Sequence, residues 1–173
     1  QMSEDSDGEL LYFTPQVGPV DEYYPASPLY LRYNPDLVKA MLNPFFYYSE
    51  SGKWGKPFPP HDLGGYPIVN GQTIEEAGNG LIMTAAIAKM EKNASYAEKH
   101  WKTLTQWAEY LLENGTDTGD QLTTDNFAGN CPHHANLSAK GVLGIAAYAR
   151  LAEMLNKKEE AEKYMNAAGE MAK

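Results

Sequence analysis

Residues 77–88 read AGNGLIMTAAIA, twelve consecutive positions without a charge. A helix that is apolar all the way round must be buried, so this stretch is an inner helix, opened by Thr73-Ile74-Glu75-Glu76. A second such stretch lies at 137–151, LSAKGVLGIAAYARL, nearly free of charge and rich in Gly and Ala. Between and beyond them the pattern turns amphipathic. From Ser95 to Glu113, Trp101, Leu104, Ala108, Leu111 and Leu112 make one stripe, with Lys99, Lys102, Gln106, Glu109 and Glu113 off it. From Lys158 to Met171, Ala161, Tyr164, Met165 and Ala168 recur among Glu and Lys. Upstream, Asn34-Pro35 reads as an N-cap with Pro at the first helical position, followed by Leu37, Val38, Met41, Leu42 and Phe45. Pro44 is expected to kink or shorten that helix. The order is therefore outer, inner, outer, inner, outer, as concentric helical rings require. The expected class is all-α: about five helices of an incomplete toroid.

Working outward, residues 1–33 carry Pro15, Pro19, Pro25 and Pro28 among Tyr and Leu, and are expected to form an extended arm, with the helical domain over 34–173. The whole chain has 173 residues, with 14 Lys and Arg against 23 Asp and Glu, a net charge of −9. So acidic a balance argues against binding nucleic acid, which needs a basic surface. No apolar run approaches the roughly 20 residues of a membrane span. A single cysteine, Cys131, leaves no disulfide framework and no thiol cluster for zinc. His133 and His134 are neighbours that would diverge on a helix, so no shared metal is expected from them.

Two long connections, 51–73 and 115–132, are too specifically polar and aromatic for slack linkers, and connections of that length in a compact domain usually carry function. The first holds His61-Asp62, a titratable base beside a carboxylate, and Tyr66. Either that pair acts on a substrate or it pins the loop. Thr73-x-x-Glu76 fits a capping box, which leaves Glu75 as the unexplained acid; Asn79 follows one turn later. Ser95-x-x-Glu98 fits a second capping box. The second connection holds Asp125, whose other reading is an Asx-turn, then His133 and Asn136 at the start of the inner helix. If the inner helices share an axis, these carboxylates converge on one of its ends. Asp125, Glu75, Glu76 and Asp62 are the candidate catalytic groups. His61, Tyr66, Asn79, His133 and Asn136 are the candidate substrate-binding groups.

The series PASPLYLRYNPDL, PFPPHDLGGYP, IEEAGNGLIM and LTTDNFAGNCPHHANLSAKGVLGIAAYA, in that order, resembles the six-hairpin (α/α)6 domain of the glutaminase A family of fungi and bacteria. Where the fungal pattern tends to read TDDFAG, this chain has Asn126 in place of the second acid. The resemblance implies a toroid of six inner and six outer helices, of which five would be a fragment. It implies hydrolysis of L-glutamine to glutamate and ammonia without a cofactor, in a larger protein that is secreted or held in the periplasm or cell envelope. The remaining domains of that protein, or an oligomer, would then cover the open helix faces. Paired carboxylates and the aromatics Trp54, Phe58, Tyr66 and Phe127 equally suit a glycoside hydrolase or carbohydrate-binding toroid. A helical scaffold without catalysis is the third reading, and exposed, scattered acids would favour it. The expected partner is a small molecule, an amino acid or a sugar.

Overall fold

The structure is a computed structural model that describes residues 2–12, 18–63, 72–123 and 132–173. Two short strands, β1 (Met2–Glu4) and β2 (Leu10–Tyr12), pair antiparallel at the N-terminus. The rest is helical: α1 (Val20–Tyr33), α2 (Pro35–Glu50), α3 (Thr73–Glu91), α4 (Ser95–Lys99), α5 (Trp101–Asn114), α6 (Ala135–Met154) and α7 (Lys158–Met171). The all-α expectation holds. Helices α1, α3 and α6 pack side by side as one layer. In a second layer, α2 lies on α1 and α3, α5 on α3 and α6, and α7 on α6. The described residues thus form three helical hairpins, each an inner helix followed by an outer one.

The extended arm expected through residue 33 is corrected over Val20–Tyr33, which is an inner helix despite Pro25 and Pro28. Pro28 cannot donate to the carbonyl four residues back, that of Tyr24. The Ser27 hydroxyl takes that acceptor instead, at 2.8 Å. Tertiary packing supplies the rest. The buried Tyr23 meets Tyr12 and Phe45 edge-on, and its hydroxyl accepts the Gly18 N–H at 3.1 Å. Helix α2 begins as expected, with Asn34 Oδ1 accepting the Asp36 N–H at 2.9 Å, and it runs through Pro44 to Glu50 without being shortened.

Both capping boxes fail. The Thr73 hydroxyl bonds to Tyr110 and to Gln121 Oε1, and the same Gln121 oxygen accepts the Ile74 N–H at 3.3 Å. A side chain from the second long connection therefore satisfies the start of α3, leaving Glu76 without a capping role. Ser95 is instead held by Asn93 Oδ1, and the expected 95–113 helix breaks at His100 into α4 and α5.

The core explains why α3 is apolar all round. Ile74, Ala77, Leu81 and Ile87 are wholly buried between the layers. Trp107 of α5 stacks on Phe46 of α2 (centroids 5.0 Å, planes 13° apart) and sits over Gly80, whose added Cβ would stand 2.7 Å from the indole. Within the inner layer, Gly144 of α6 approaches Gly78 of α3 so closely that a Cβ on Gly144 would lie 3.0 Å from the Gly78 Cα. Close backbone approach here requires glycine. Among the described residues, no helix is long and apolar enough to cross a membrane.

Candidate functional site

The N-terminal ends of α1 and α3 lie together, with the 61–63 segment against them. The Val20 N–H donates to the His61 carbonyl at 3.2 Å, tying that segment to the start of α1. Gly18 passes directly beneath it at φ +106°, where an added Cβ would be 3.2 Å from both the His61 oxygen and the Asp62 Cα. Only glycine combines that dihedral with that clearance.

These elements gather Asp21 of α1, His61 and Asp62 of the connection, and Glu75, Glu76 and Asn79 of α3. Lys140 joins them from the second turn of α6. All four carboxylates are buried, and Glu76 and Asn79 have no exposed surface at all. His61 Nδ1 lies 2.5 Å from Glu76 Oε1 and 3.8 Å from Asp21 Oδ1. Asn79 Nδ2 donates to the other Glu76 oxygen at 3.5 Å, while Asn79 Oδ1 is a buried acceptor with no protein donor among the described residues. Beside this set, Lys140 Nζ donates to Glu75 Oε1 at 2.9 Å and rides over the Tyr24 ring at 4.3 Å.

Burial is the largest influence on Glu76 and pushes its carboxyl up to about 8, with the charges of Asp21 and Glu75 adding to it. The bond to His61 pulls the other way without prevailing. Burial opposes the charge on His61, but the hydrogen bond to Glu76 and the charges of Glu76, Asp21 and Asp62 together raise its pKa above the ordinary value. Both members thus hold a proton more tightly than in water, so they act as one proton-sharing dyad. In its deprotonated form the dyad has Nδ1–H donating to the Glu76 carboxylate, an assignment made from the network. The imidazole keeps 15% of its side-chain surface exposed. Asp21, His61 and Glu76 each bring a ligand atom within 4.8 Å of the others, the kind of set that accepts a divalent cation.

Of the residues expected from sequence, His61, Asp62, Glu75, Glu76 and Asn79 come together. His133 does not: it pairs with Asp117 at 2.5 Å, both side chains mostly in solvent. Asn136 is exposed, its N–H taken by His134, which caps α6. Asp125 and Tyr66 lie outside the described residues. Asp21 and Lys140 went unread. Lys140 is the one charged residue in the first twelve positions of the inner-helix run 137–151, a signal legible in the sequence. Asp21 was hidden by the prolines that follow it.

A separate open groove of about 760 Å³ runs along the later turns of α3 and α6, lined by Ile82, Ala85, Leu143, Ala146 and Met154, with Lys89, Arg150 and Glu153 in its walls. It touches the cluster region only through Tyr24 and contains none of the clustered acids. The titratable cluster therefore lies outside this groove.

Residues 12–173 match the family described as the glutaminase A six helical-hairpin domain. Glutaminase A of Aspergillus oryzae (strain ATCC 42149 / RIB 40) is 34% identical over 158 residues, covering 86% of this chain and 23% of that protein. A probable glutaminase of Arthroderma benhamiae (strain ATCC MYA-4681 / CBS 112371) is 24% identical over 212 residues, covering 85% of this chain and 25% of that protein. The chain thus spans about a quarter of the length of these relatives. No solved structure gives a significant match. With three of its hairpins visible in the described residues and the family match running over nearly its whole length, the chain belongs to the glutaminase A six helical-hairpin domain family.

Proposed function

We propose that the protein carrying this chain hydrolyses the side-chain amide of L-glutamine, with His61 as the general base and Glu76 as the group that orients and charges it. The observation that carries this reading is the 2.5 Å contact between the buried Glu76 and a His61 imidazole that keeps 15% of its surface exposed. Family membership and the names of the relatives agree with it. The buried Asp62 and Glu75 speak against the scaffold reading, which requires exposed and scattered acids.

In the deprotonated dyad, Nδ1–H of His61 is fixed on Glu76, which directs the lone pair of Nε2 towards water. Nε2 takes a proton as the water oxygen bonds to the carboxamide carbon, and the negative charge moves to the carbonyl oxygen. Glu76 and Asp21 stabilise the imidazolium so formed. The imidazolium then returns its proton to the amide nitrogen, the C–N bond breaks, and ammonia leaves with glutamate as the other product. A base of this kind contributes about 10²- to 10⁴-fold. Because the active dyad is the deprotonated one, kcat/KM should rise with pH and level off above about 8, where Glu76 titrates.

The test is ammonia release from L-glutamine by the full-length protein, run beside a panel of aryl glycosides. Ammonia without sugar release supports the proposal. Sugar release without ammonia would replace it with the glycosidase reading.

A further inference from the structure

We propose that Lys140 is the anchor for the substrate's α-carboxylate, so that the site selects free amino acids over glutamine residues whose carboxyl group is blocked. This inference rests on the amide-hydrolysis reading above and names its substrate class.

A free amino acid brings a carboxylate, which needs a cation in any site that excludes water. Among the described residues the cluster holds Asp21, Asp62, Glu75 and Glu76 against two groups able to carry positive charge, His61 and Lys140. The stretches 64–71 and 124–131 contain no Lys or Arg, and Lys53 and Lys56 are exposed. With His61 committed to the proton, Lys140 is the cation that the described residues of this chain bring to the cluster.

Its surroundings fit that task. The ammonium has three donors. One goes to Glu75 Oε1 at 2.9 Å, and the Tyr24 ring lies under the group at 4.3 Å, so the charge is held from two sides. The side chain is 12% exposed, enough to meet a ligand from the remaining side. The stem reaches this position by crossing α3 at Gly78, where an added Cβ would stand 2.6 Å from the Lys140 Cγ. Glu75 and Glu76 are consecutive on α3, and Tyr24 lies one turn beyond Asp21 on α1. The helices that carry Asp21 and Glu76 therefore also carry the two partners of the anchor, Tyr24 and Glu75. Opposite charges on Lys140 and Glu75 also match, in reverse, the zwitterion of an amino acid. A lysine that merely closed a salt bridge would satisfy the first of these observations and have no bearing on substrate choice.

The experiment compares L-glutamine with its α-methyl ester, using ammonia release by the full-length protein. Wild type should prefer the free acid by about 10- to 100-fold in kcat/KM, the range for one charged hydrogen bond, with most of the difference in KM. Lys140→Met should erase that preference, and Lys140→Arg should keep most of it. Equal use of acid and ester by wild type would overturn the proposal, and this comparison needs no variant to fold. So would a Lys140→Met protein that loses rate on both substrates alike while keeping the preference. Absence of ammonia from either substrate in wild type would instead overturn the hydrolase reading beneath it, a distinguishable result.

Discussion

Replacing Glu76 with Gln should make the protein more stable at alkaline pH while crippling it as a catalyst. Gln keeps an oxygen that accepts from His61 Nδ1 at nearly the same place, but it cannot ionise. In wild type, burial moves the Glu76 carboxyl from 4.5 to about 8. At 1.36 kcal/mol per pH unit, a shift of that size corresponds to roughly 5 kcal/mol between the protonated and ionised forms. The folded protein binds the proton more tightly than the unfolded chain. Stability from this group is therefore complete below about pH 4.5 and is lost as pH rises through about 8. His61, also raised, acts in the same sense above its ordinary 6.5, but its upward shift comes first from Glu76, so Glu76→Gln weakens that contribution too. Urea denaturation followed by circular dichroism at pH 5, 7 and 9 would read the difference. The two proteins should be similar at pH 5, and Glu76→Gln should be the more stable by about 2–5 kcal/mol at pH 9. A stability difference independent of pH, or one favouring wild type more strongly at pH 9, would refute the argument that burial governs this carboxyl.

Gly144→Ala should destabilise by about 1–2 kcal/mol, because overpacking against the Leu111 side chain and the Gly78 backbone outweighs the better helix propensity; thermal melting checks it. Asn34→Ala should cost about 1 kcal/mol through the lost cap on α2, with activity unchanged, as read by urea midpoint and ammonia assay. His133→Ala should leave kcat and KM unaltered, since its partner Asp117 is at the surface and away from the cluster. A large loss there would return His133 to the site.

The inner helices were legible at α3 and α6 because burial on every side removes charge from the sequence, and no other arrangement tolerates AGNGLIMTAAIA. Helix α1 was not. Its prolines carry a local penalty that the Ser27–Tyr24 bond and the Tyr23 contacts offset, and neither can be seen before the chain is folded. Losing α1 meant losing Asp21. Glu75 was legible as an acid that the apparent cap leaves unexplained, but the division of labour between it and Glu76 was not. Thr73-x-x-Glu76 looks like a closed local cap, and only the distant Gln121 shows that the cap is made otherwise. His61-Asp62 stood out because the two residues are adjacent and titratable. His133 was singled out on the same grounds and turned out to be a surface residue, since sequence proximity to an inner helix does not fix which way a side chain faces.

The central claim is that His61, held by Glu76, is the base that activates water. It is met most directly by measuring kcat/KM for ammonia release from L-glutamine across pH 5–10 in wild type and in His61→Asn. The account predicts a wild-type profile that rises to a plateau above about pH 8 and a variant slower by about 10²- to 10⁴-fold across that plateau. A His61→Asn protein with near-wild-type activity and the same alkaline rise would contradict it.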